Sequence, residues 1–458
     1  MPADAREQAF VLLLENREKG TFSSRLLQEA YDRFAAEDAA QRSFFKYLTE
    51  SVLEHRILAD EIIRRVSTRP PEKLKPKIRV ILEMGICQIL FMDAVPDHAA
   101  VNESVQLARR KGCAALTGFV NGVLRRVIRE RDDGSLLRWM NGLAPSLRFS
   151  VPEWLCEMWE ARYGREETLR LLAAFDEKSP VTVRLDERMG ADEMRALTER
   201  MRAKGAQVEA GRILSYARRL TDPGDPRRLP GYAEGSFYIQ DESAMLAVEA
   251  AEISPGDRIL DLCAAPGGKA THAAIKTGPG GHVTACDLRE EKLPRIRENA
   301  ERLSLDNLTV RQQDAAVHAA QFEAAFDIVL CDLPCSGLGI IGRKHDIRYR
   351  VCPGDIPALA SLQRQILENA AAYVRPGGQL IYSTCTITAP ENEENADYIA
   401  KELGLTPIAL PPVFAPILQA GAAEGDHPSH RIQLLPHVHG TDGFFIARFR
   451  RPLQGEKP

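Results

Sequence analysis

RILDLCAAPGGKATHAA (residues 258–274) falls into three parts. RILDL is an apolar run of strand length, CAAPGG is a loop of small residues, and the stretch after it is helical in pattern. A strand, a glycine turn and a helix in that order begin a βαβ unit. The rhythm repeats in HVTACDL (282–288), LTVRQQDA (308–315), FDIVLCDL (326–333) and QLIYST (379–384). Charged helical segments such as LREEKLPRIRENAERLS (288–304) lie between them. This alternation predicts a parallel sheet covered by helices on both faces. Such sheets bind ligands beyond the C-terminal ends of their strands. RIQLLPHVHGTDGFFIARFRR (431–451) reads as a closing strand pair with a turn at GTDG.

The other segments read differently. The chain has 458 residues, more than one core ordinarily holds, so two or three domains are expected. Apolar residues recur at three- and four-residue spacing in AREQAFVLLLEN, SSRLLQEAYDRF, QRSFFKYLTESVLEHRILADEIIRRV and KIRVILEMGICQILFM. Pro70, Pro71, Pro76 and Pro96 mark helix boundaries, and RDDGS (131–135) marks a break. From about Pro145, the β-type runs VTVRL and SFYIQ alternate with the helical ADEMRALTERMRAKG. The expectation is a multidomain chain. An all-α domain spans 1–140, a small α/β domain 141–236, and a Rossmann-like α/β domain 237–452.

A hydrophobic content of 44% with 27% charged residues is that of a soluble globular protein. No apolar run reaches the roughly 18 residues that span a bilayer. The polar start MPADAREQAF lacks a secretory core. A cytoplasmic protein without membrane association is expected. Its nine cysteines are scattered and include no CxxC pair, so neither a disulfide framework nor a metal is expected. The net charge of −4 means that any nucleic-acid footprint must be local.

The loop at residues 263–269 (Cys263, Ala264, Ala265, Pro266, Gly267, Gly268, Lys269) is neither GxGxxG nor a Walker loop. Its small residues let a ligand approach the backbone, and the helix start adds free N–H donors. Asp287 ends the next strand, about twenty residues on, where an acid can bind a ribose. Asp314 ends the third strand, where it can face an adenine amino group. An acid for the ribose without a phosphate cradle points to S-adenosyl-L-methionine rather than a dinucleotide.

Two cysteines follow strands that open onto the same face. Cys335 lies in DLPCSGLG (332–339) and Cys385 in STCT (383–386). A thiolate in either place can act as a nucleophile, and spacing alone does not choose between them. Asp332, three residues from Cys335, can reach a base edge or the methionine part of the cofactor. Lys269 can add a positive field that helps hold a thiolate. Cys286 and Cys331 lie inside strands and read as core.

CAAPGGK, DLPCSGLG and STCT, in this order and spacing, resemble the RNA cytosine-C5 methyltransferases. VPDHAAVNESVQLARR (95–110) and GFVNGVLRR (118–126) resemble the NusB-type RNA-binding domain fused to the small-subunit rRNA members of that family. The resemblance covers nearly the whole chain. It implies methylation of C5 of a specific cytosine in 16S rRNA using S-adenosyl-L-methionine. A cytosine within a duplex must be flipped out or already single-stranded, so unassembled or partly assembled rRNA is the expected substrate, with a monomer as the expected state of the chain. It also separates the cysteines: Cys385 attacks C6, and Cys335 helps break down the adduct. A DNA-methyltransferase analogy would instead make Cys335 the nucleophile. The same chemistry on transfer RNA or large-subunit rRNA, or a non-catalytic assembly factor, are the alternatives. The complete set of motif residues argues against the last.

GRKHDIRYR (342–350) follows the Pro-Cys loop, and Arg343, Lys344, Arg348 and Arg350 are expected to contact phosphates. The family often has arginine at Gly342 and proline at His345. It usually has asparagine at Asp186. Two further basic clusters, residues 64–79 and 109–129, are candidate RNA or protein docking faces.

Overall fold

The computed structural model describes residues 4–19, 34, 39–177, 179–221, 223–420, 429–453 and 455. The expected helix SSRLLQEAYDRF lies outside the described residues except for Phe34. The chain forms two compact units, Met1–Asp176 with Lys344–Arg350, and Glu177–Arg343 with Val351–Pro458. Helices of seven or more residues are numbered below.

The first unit is helical: α1 (Ala5–Lys19), α2 (Ala39–Val66), α3 (Pro76–Phe91), α4 (Asp97–Arg110), α5 (Thr117–Asp132), α6 (Ser135–Asn141) and α7 (Glu153–Asp176). Pro76 opens α3, where its missing N–H leaves no bond unmade. α3 is apolar on nearly every side and is buried from Val80 through Ile89. Phe45, Leu48 and Ile62 of α2 and Val120 and Leu124 of α5 share its core.

The segment Lys344–Arg350 belongs to this helical unit. Arg348 is 1% exposed, and its guanidinium donates to the carbonyls of Glu54 (3.2 Å), Phe149 (3.2 Å) and Ser150 (3.3 Å). Arg348 is therefore not a phosphate contact; burial and three carbonyls hold it inside the protein. Arg343, just outside the segment, pairs with Asp241 (2.9 Å) and Asp442 (2.6 Å) of the second unit. Of the four cations expected to face RNA, Lys344 and Arg350 are exposed. The other two basic clusters divide similarly. Arg64, Arg65, Arg79, Arg110, Lys111 and Arg126 are in ion pairs. Arg69, Lys73, Lys75, Lys77, Arg109, Arg125 and Arg129 are exposed.

The second unit contains two sheets. The smaller is antiparallel, in the order β2-β3-β1-β4, from β1 (Val181–Leu185), β2 (Gln207–Ala210), β3 (Ala217–Thr221) and β4 (Phe237–Ile239), with α8 (Ala191–Ala203). QVEA alternates over only four residues and ARRLT lacks an apolar alternation, which is why β2 and β3 are not evident in the sequence.

The larger sheet has the order β10-β12-β9-β8-β5-β6-β7, with β11 beside β12. Its strands are β5 (Arg258–Asp261), β6 (His282–Asp287), β7 (Leu308–Gln312), β8 (Phe326–Asp332), β9 (Val374–Thr384), β10 (Thr406–Pro407), β11 (Arg431–Leu434) and β12 (Phe444–Arg450). β5 to β9 are parallel, and β12 runs antiparallel to β9. Alternate residues pack on opposite faces. Ile259, Val283, Ile328 and Ile381 meet α9 (Glu242–Glu249), α10 (Gly268–Thr277) and α11 (Leu293–Arg302). Leu260, Val329, Leu380 and Tyr382 meet α12 (Asp355–Tyr373) and α13 (Glu393–Lys401). Cys286 and Cys331 are buried in this second layer, as strand positions should be. Strand order reverses between β5 and β8, so the ligand crevice belongs there. Among the described residues no helix is long and apolar enough to cross a membrane.

Glu54, in the helical unit, titrates abnormally. Burial raises its carboxyl to about 7, with Asp176 adding to the rise and Arg348 opposing it. The folded state thus holds this proton more tightly than the unfolded chain does, and stability falls as pH rises from about 4.5 towards 7. Glu54→Gln should match wild type in urea unfolding at pH 4.5. At pH 8 it should exceed wild type by as much as about 3 kcal/mol.

Candidate active site

The loop after β5 is shaped by its glycines. Gly267 has φ +105, and a Cβ there would press on Ile296 at 3.3 Å. A Cβ on Gly268 would come 3.2 Å from Tyr238. Arg184, an inward residue of β1 that the sequence reading passed over, fixes this turn. It donates to the carbonyl of Gly268 (2.9 Å), to Gln240 (2.7 Å) and to Thr271 (3.2 Å). Burial lowers its guanidinium to about 10, the tyrosines Tyr238 and Tyr216 opposing. Asp186, on the same strand's exit, is 8% exposed and held by Arg188 at 2.6 Å.

Asp287 ends β6 and accepts from the backbone N–H groups of Ala265 (3.2 Å) and Arg289 (3.1 Å). Asp314 follows β7 and accepts from Ala316 N–H at 2.9 Å. A side-chain-free turn and two carboxylates at successive strand ends fit a nucleoside, so these residues suit the adenosine part of S-adenosylmethionine.

At the end of β8, Asp332 accepts from Lys269 Nζ at 2.6 Å and from Ser383 Oγ at 3.1 Å. The Lys269 ammonium is thus committed to a carboxylate, with the Phe444 ring 5.2 Å away, rather than to a cysteine sulfur as the sequence suggested. Asp261, which ends β5, is 1% exposed, and no side chain among the described residues donates to its carboxyl. Burial pushes Asp261 up to about 7, against the pull of Lys269. Its place at the end of β5, beside the strand reversal, was the available signal for it.

The two cysteines come together. Register pairs Asp332 of β8 with Ser383 of β9, so the loops leave side by side. Cys335 Sγ and Cys385 Sγ are 3.4 Å apart, both half-buried. Gly339 N–H donates to the Cys385 carbonyl at 3.0 Å, and Gly443 N–H to the Gly339 carbonyl at 2.9 Å. The hydrogen bond to Cys385 pushes the Cys335 thiol well above its ordinary range, and burial and the negative charges of Glu391 and Asp332 add to this. Either sulfur can donate in this contact, and two sulfurs this close do not both ionise. Cys263 is half-buried in the loop after β5, where burial pushes its thiol up, and Cys352 is exposed.

Among the described residues one group has metal-ligand character: Glu187, Glu249 and His272, with ligand atoms within 4.8 Å of one another. Lys276 Nζ stands 2.9 Å from Glu187 and 2.6 Å from Glu249, so an ammonium already supplies the cation.

Residues 248–450 match the family described as 16S rRNA methyltransferase RsmB/F. Residues 3–129 match the NusB family, and residues 151–226 the ferredoxin-like domain of RsmF/B-like methyltransferases. The chain is 33% identical to the probable ribosomal RNA small subunit methyltransferase B of Bacillus subtilis (strain 168), over 97% of this chain and 98% of that one. It belongs to the RsmB/F family of 16S rRNA methyltransferases. The ribosomal RNA small subunit methyltransferase B of Erwinia tasmaniensis is 31% identical over 94% of this chain and 95% of that one. The crystal structure of PH0851 has the same fold, with a TM-score of 0.76 and 22% identity, covering 98% of this chain and 100% of that one. A methyltransferase homolog from Pyrococcus horikoshii aligns with a TM-score of 0.56 and 27% identity over 67% of this chain and 97% of that one. In this RsmB/F chain a NusB-type helical domain, a ferredoxin-like domain and an S-adenosylmethionine-dependent methyltransferase fold follow one another.

The two cysteine loops touch where Gly339 has no side chain. A Cβ there would lie 1.9 Å from the Gly443 carbonyl oxygen and 2.9 Å from that of Cys385. Gly339→Ala should therefore destabilise the second unit by about 3 kcal/mol. It should also slow methyl transfer at temperatures where the variant remains folded. Wild-type melting with wild-type turnover would contradict the close packing.

Proposed function

We propose that the chain methylates C5 of a specific cytosine in 16S rRNA through a covalent bond between Cys385 and C6 of the base. The observation that carries this reading is the 3.4 Å approach of two cysteine sulfurs at the ligand face of the sheet. Cytosine C5 is a poor nucleophile. Addition of the Cys385 thiolate to C6 forms a C–S bond and makes C5 enamine-like. S-adenosyl-L-methionine supplies the electrophilic methyl group that C5 takes. Loss of the C5 proton to a base then allows the C6–S bond to break, returning Cys385 and 5-methylcytosine.

The chain's residues divide these tasks. The loop from Cys263 to Lys269 holds the cofactor against the backbone, Asp287 binds the ribose hydroxyls, and Asp314 faces the adenine amino group. Asp332, fixed by Lys269 and Ser383, serves the base edge or the methionine part of the cofactor. Cys335 holds a proton beside the adduct sulfur and assists its release. Its raised thiol favours Cys385 as the attacking sulfur, because two sulfurs this close do not both ionise.

A cytosine stacked in a duplex cannot reach such a crevice, so the substrate is rRNA before assembly is complete. Bisulfite sequencing of cellular RNA with and without the protein tests the target. Loss of one methylated cytosine in small-subunit rRNA is expected, and loss in another RNA would overturn that assignment. The cysteines should also behave differently with RNA substrate. Cys385→Ala should abolish methylation and form no adduct. Cys335→Ala should accumulate protein joined to RNA, visible as a slow band on a denaturing gel.

A further inference from the structure

Glu391 lies outside the motifs that the chemistry uses, yet it is 0% exposed. Its Oε1 accepts from the backbone N–H of Ser336 (2.8 Å) and from Gln363 (3.2 Å). Its Oε2 accepts from the hydroxyls of Ser336 (2.6 Å) and Thr388 (2.7 Å). All four donors are neutral. Burying a carboxylate among neutral donors is costly.

These bonds converge on the two cysteine loops. Ser336 follows Cys335, and Gln363 also donates to the carbonyl of Pro334 at 2.9 Å, so Cys335 is tied on both sides. Ser336 Oγ lies 2.7 Å from the hydroxyl of Thr386, the residue after Cys385. Asn392, next to Glu391, meets Thr384 Oγ1 at 2.5 Å and the Thr386 carbonyl at 3.0 Å. One buried carboxylate thus connects the residues that follow both sulfurs.

We propose that Glu391 is the positioning residue that locks the two loops together and, by its negative charge, keeps the shared proton on Cys335, leaving Cys385 as the nucleophilic sulfur. This rests on the reading of Cys385 as nucleophile. The charged and titratable groups facing Cys335 are Cys385, Glu391, Asp332 and Tyr382. Lys269 lies beyond Asp332 and is paired with it. Of the carboxylates, Glu391 is the one hydrogen-bonded to the loop beside Cys335.

The test is residue-resolved alkylation of the full-length chain. Iodoacetamide labelling from pH 6 to pH 10, read by peptide mass spectrometry, gives an ionisation profile for each cysteine. In wild type, Cys385 should react at lower pH than Cys335. In Glu391→Gln, which keeps the shape and removes the charge, the preference for Cys385 at pH 7.5 should shrink by about tenfold, one pKa unit of charge effect. Glu391→Asp, which retains the charge, should recover most of it. An unchanged ratio in Glu391→Gln would overturn the proposal. A second comparison needs no change at Glu391. Cys335 in Cys385→Ala should still ionise at higher pH than Cys385 in Cys335→Ala, and equal profiles would also overturn it. If RNA adducts map to Cys335, the functional reading itself fails. If they map to Cys385 while alkylation ignores Glu391, this inference alone fails.

Discussion

The site depends on the pairing of β8 with β9. Register places Asp332 opposite Ser383, and the chain then carries Cys335 and Cys385 out of the sheet on adjacent paths. A slip of one residue would turn every side chain on one strand to the other face and part the sulfurs. Several contacts oppose such a slip. Ser383 donates to Asp332 itself, and Leu333 N–H donates to the Ser383 carbonyl. Gly339 closes on Cys385, and Gly443 closes on Gly339. The antiparallel β12 adds a further boundary, pairing Ser383 with Ile446 and Thr384 with Phe445. The conjunction of the two cysteine-bearing loops is therefore a property of the sheet rather than of flexible connections.

Electrostatics at the strand reversal follow from the same geometry. Three strands end in aspartate, Asp261, Asp287 and Asp332, within the low-dielectric edge of one sheet. Lys269, delivered by the start of α10, answers the charge of Asp332. Asp261 is left buried with its carboxyl raised to about 7, a group whose protonation can change within the physiological range. Arg184 contributes from the neighbouring sheet, tying the ferredoxin-like domain to the glycine turn after β5. The smaller sheet thus braces that turn directly.

Much of this was legible in the sequence because the signals are local. RILDL, FDIVL and QLIYST announce buried strands by continuous apolar runs, and their polar ends announce the ligand face. CAAPGGK, DLPCSGLG and STCT lie on those ends, and the structure gathers them there. The failures share a cause: a charged side chain's meaning depends on partners far along the chain. Arg348 reads as a phosphate ligand in GRKHDIRYR, but it is buried against carbonyls of Glu54, Phe149 and Ser150. Lys269 looks free to support a thiolate until Asp332 arrives from another strand. Glu391 resembles any acid in PENEEN until its four neutral donors surround it. Strand β3, ARRLT, is hidden because its buried residues, Ala217 and Leu220, stand three apart with two arginines between them and so show no two-residue period.

The most direct measurement is to map the covalent bond on small-subunit rRNA carrying 5-fluorocytosine in place of cytosine. Fluorine at C5 leaves no proton to remove, so a C6 adduct persists after methyl transfer. Digestion and peptide mass spectrometry then identify the sulfur involved. The account expects the nucleotide on the peptide containing Cys385, dependent on S-adenosyl-L-methionine for its methyl group. A nucleotide on the Cys335 peptide, or stable methylation with no adduct on either, would contradict it.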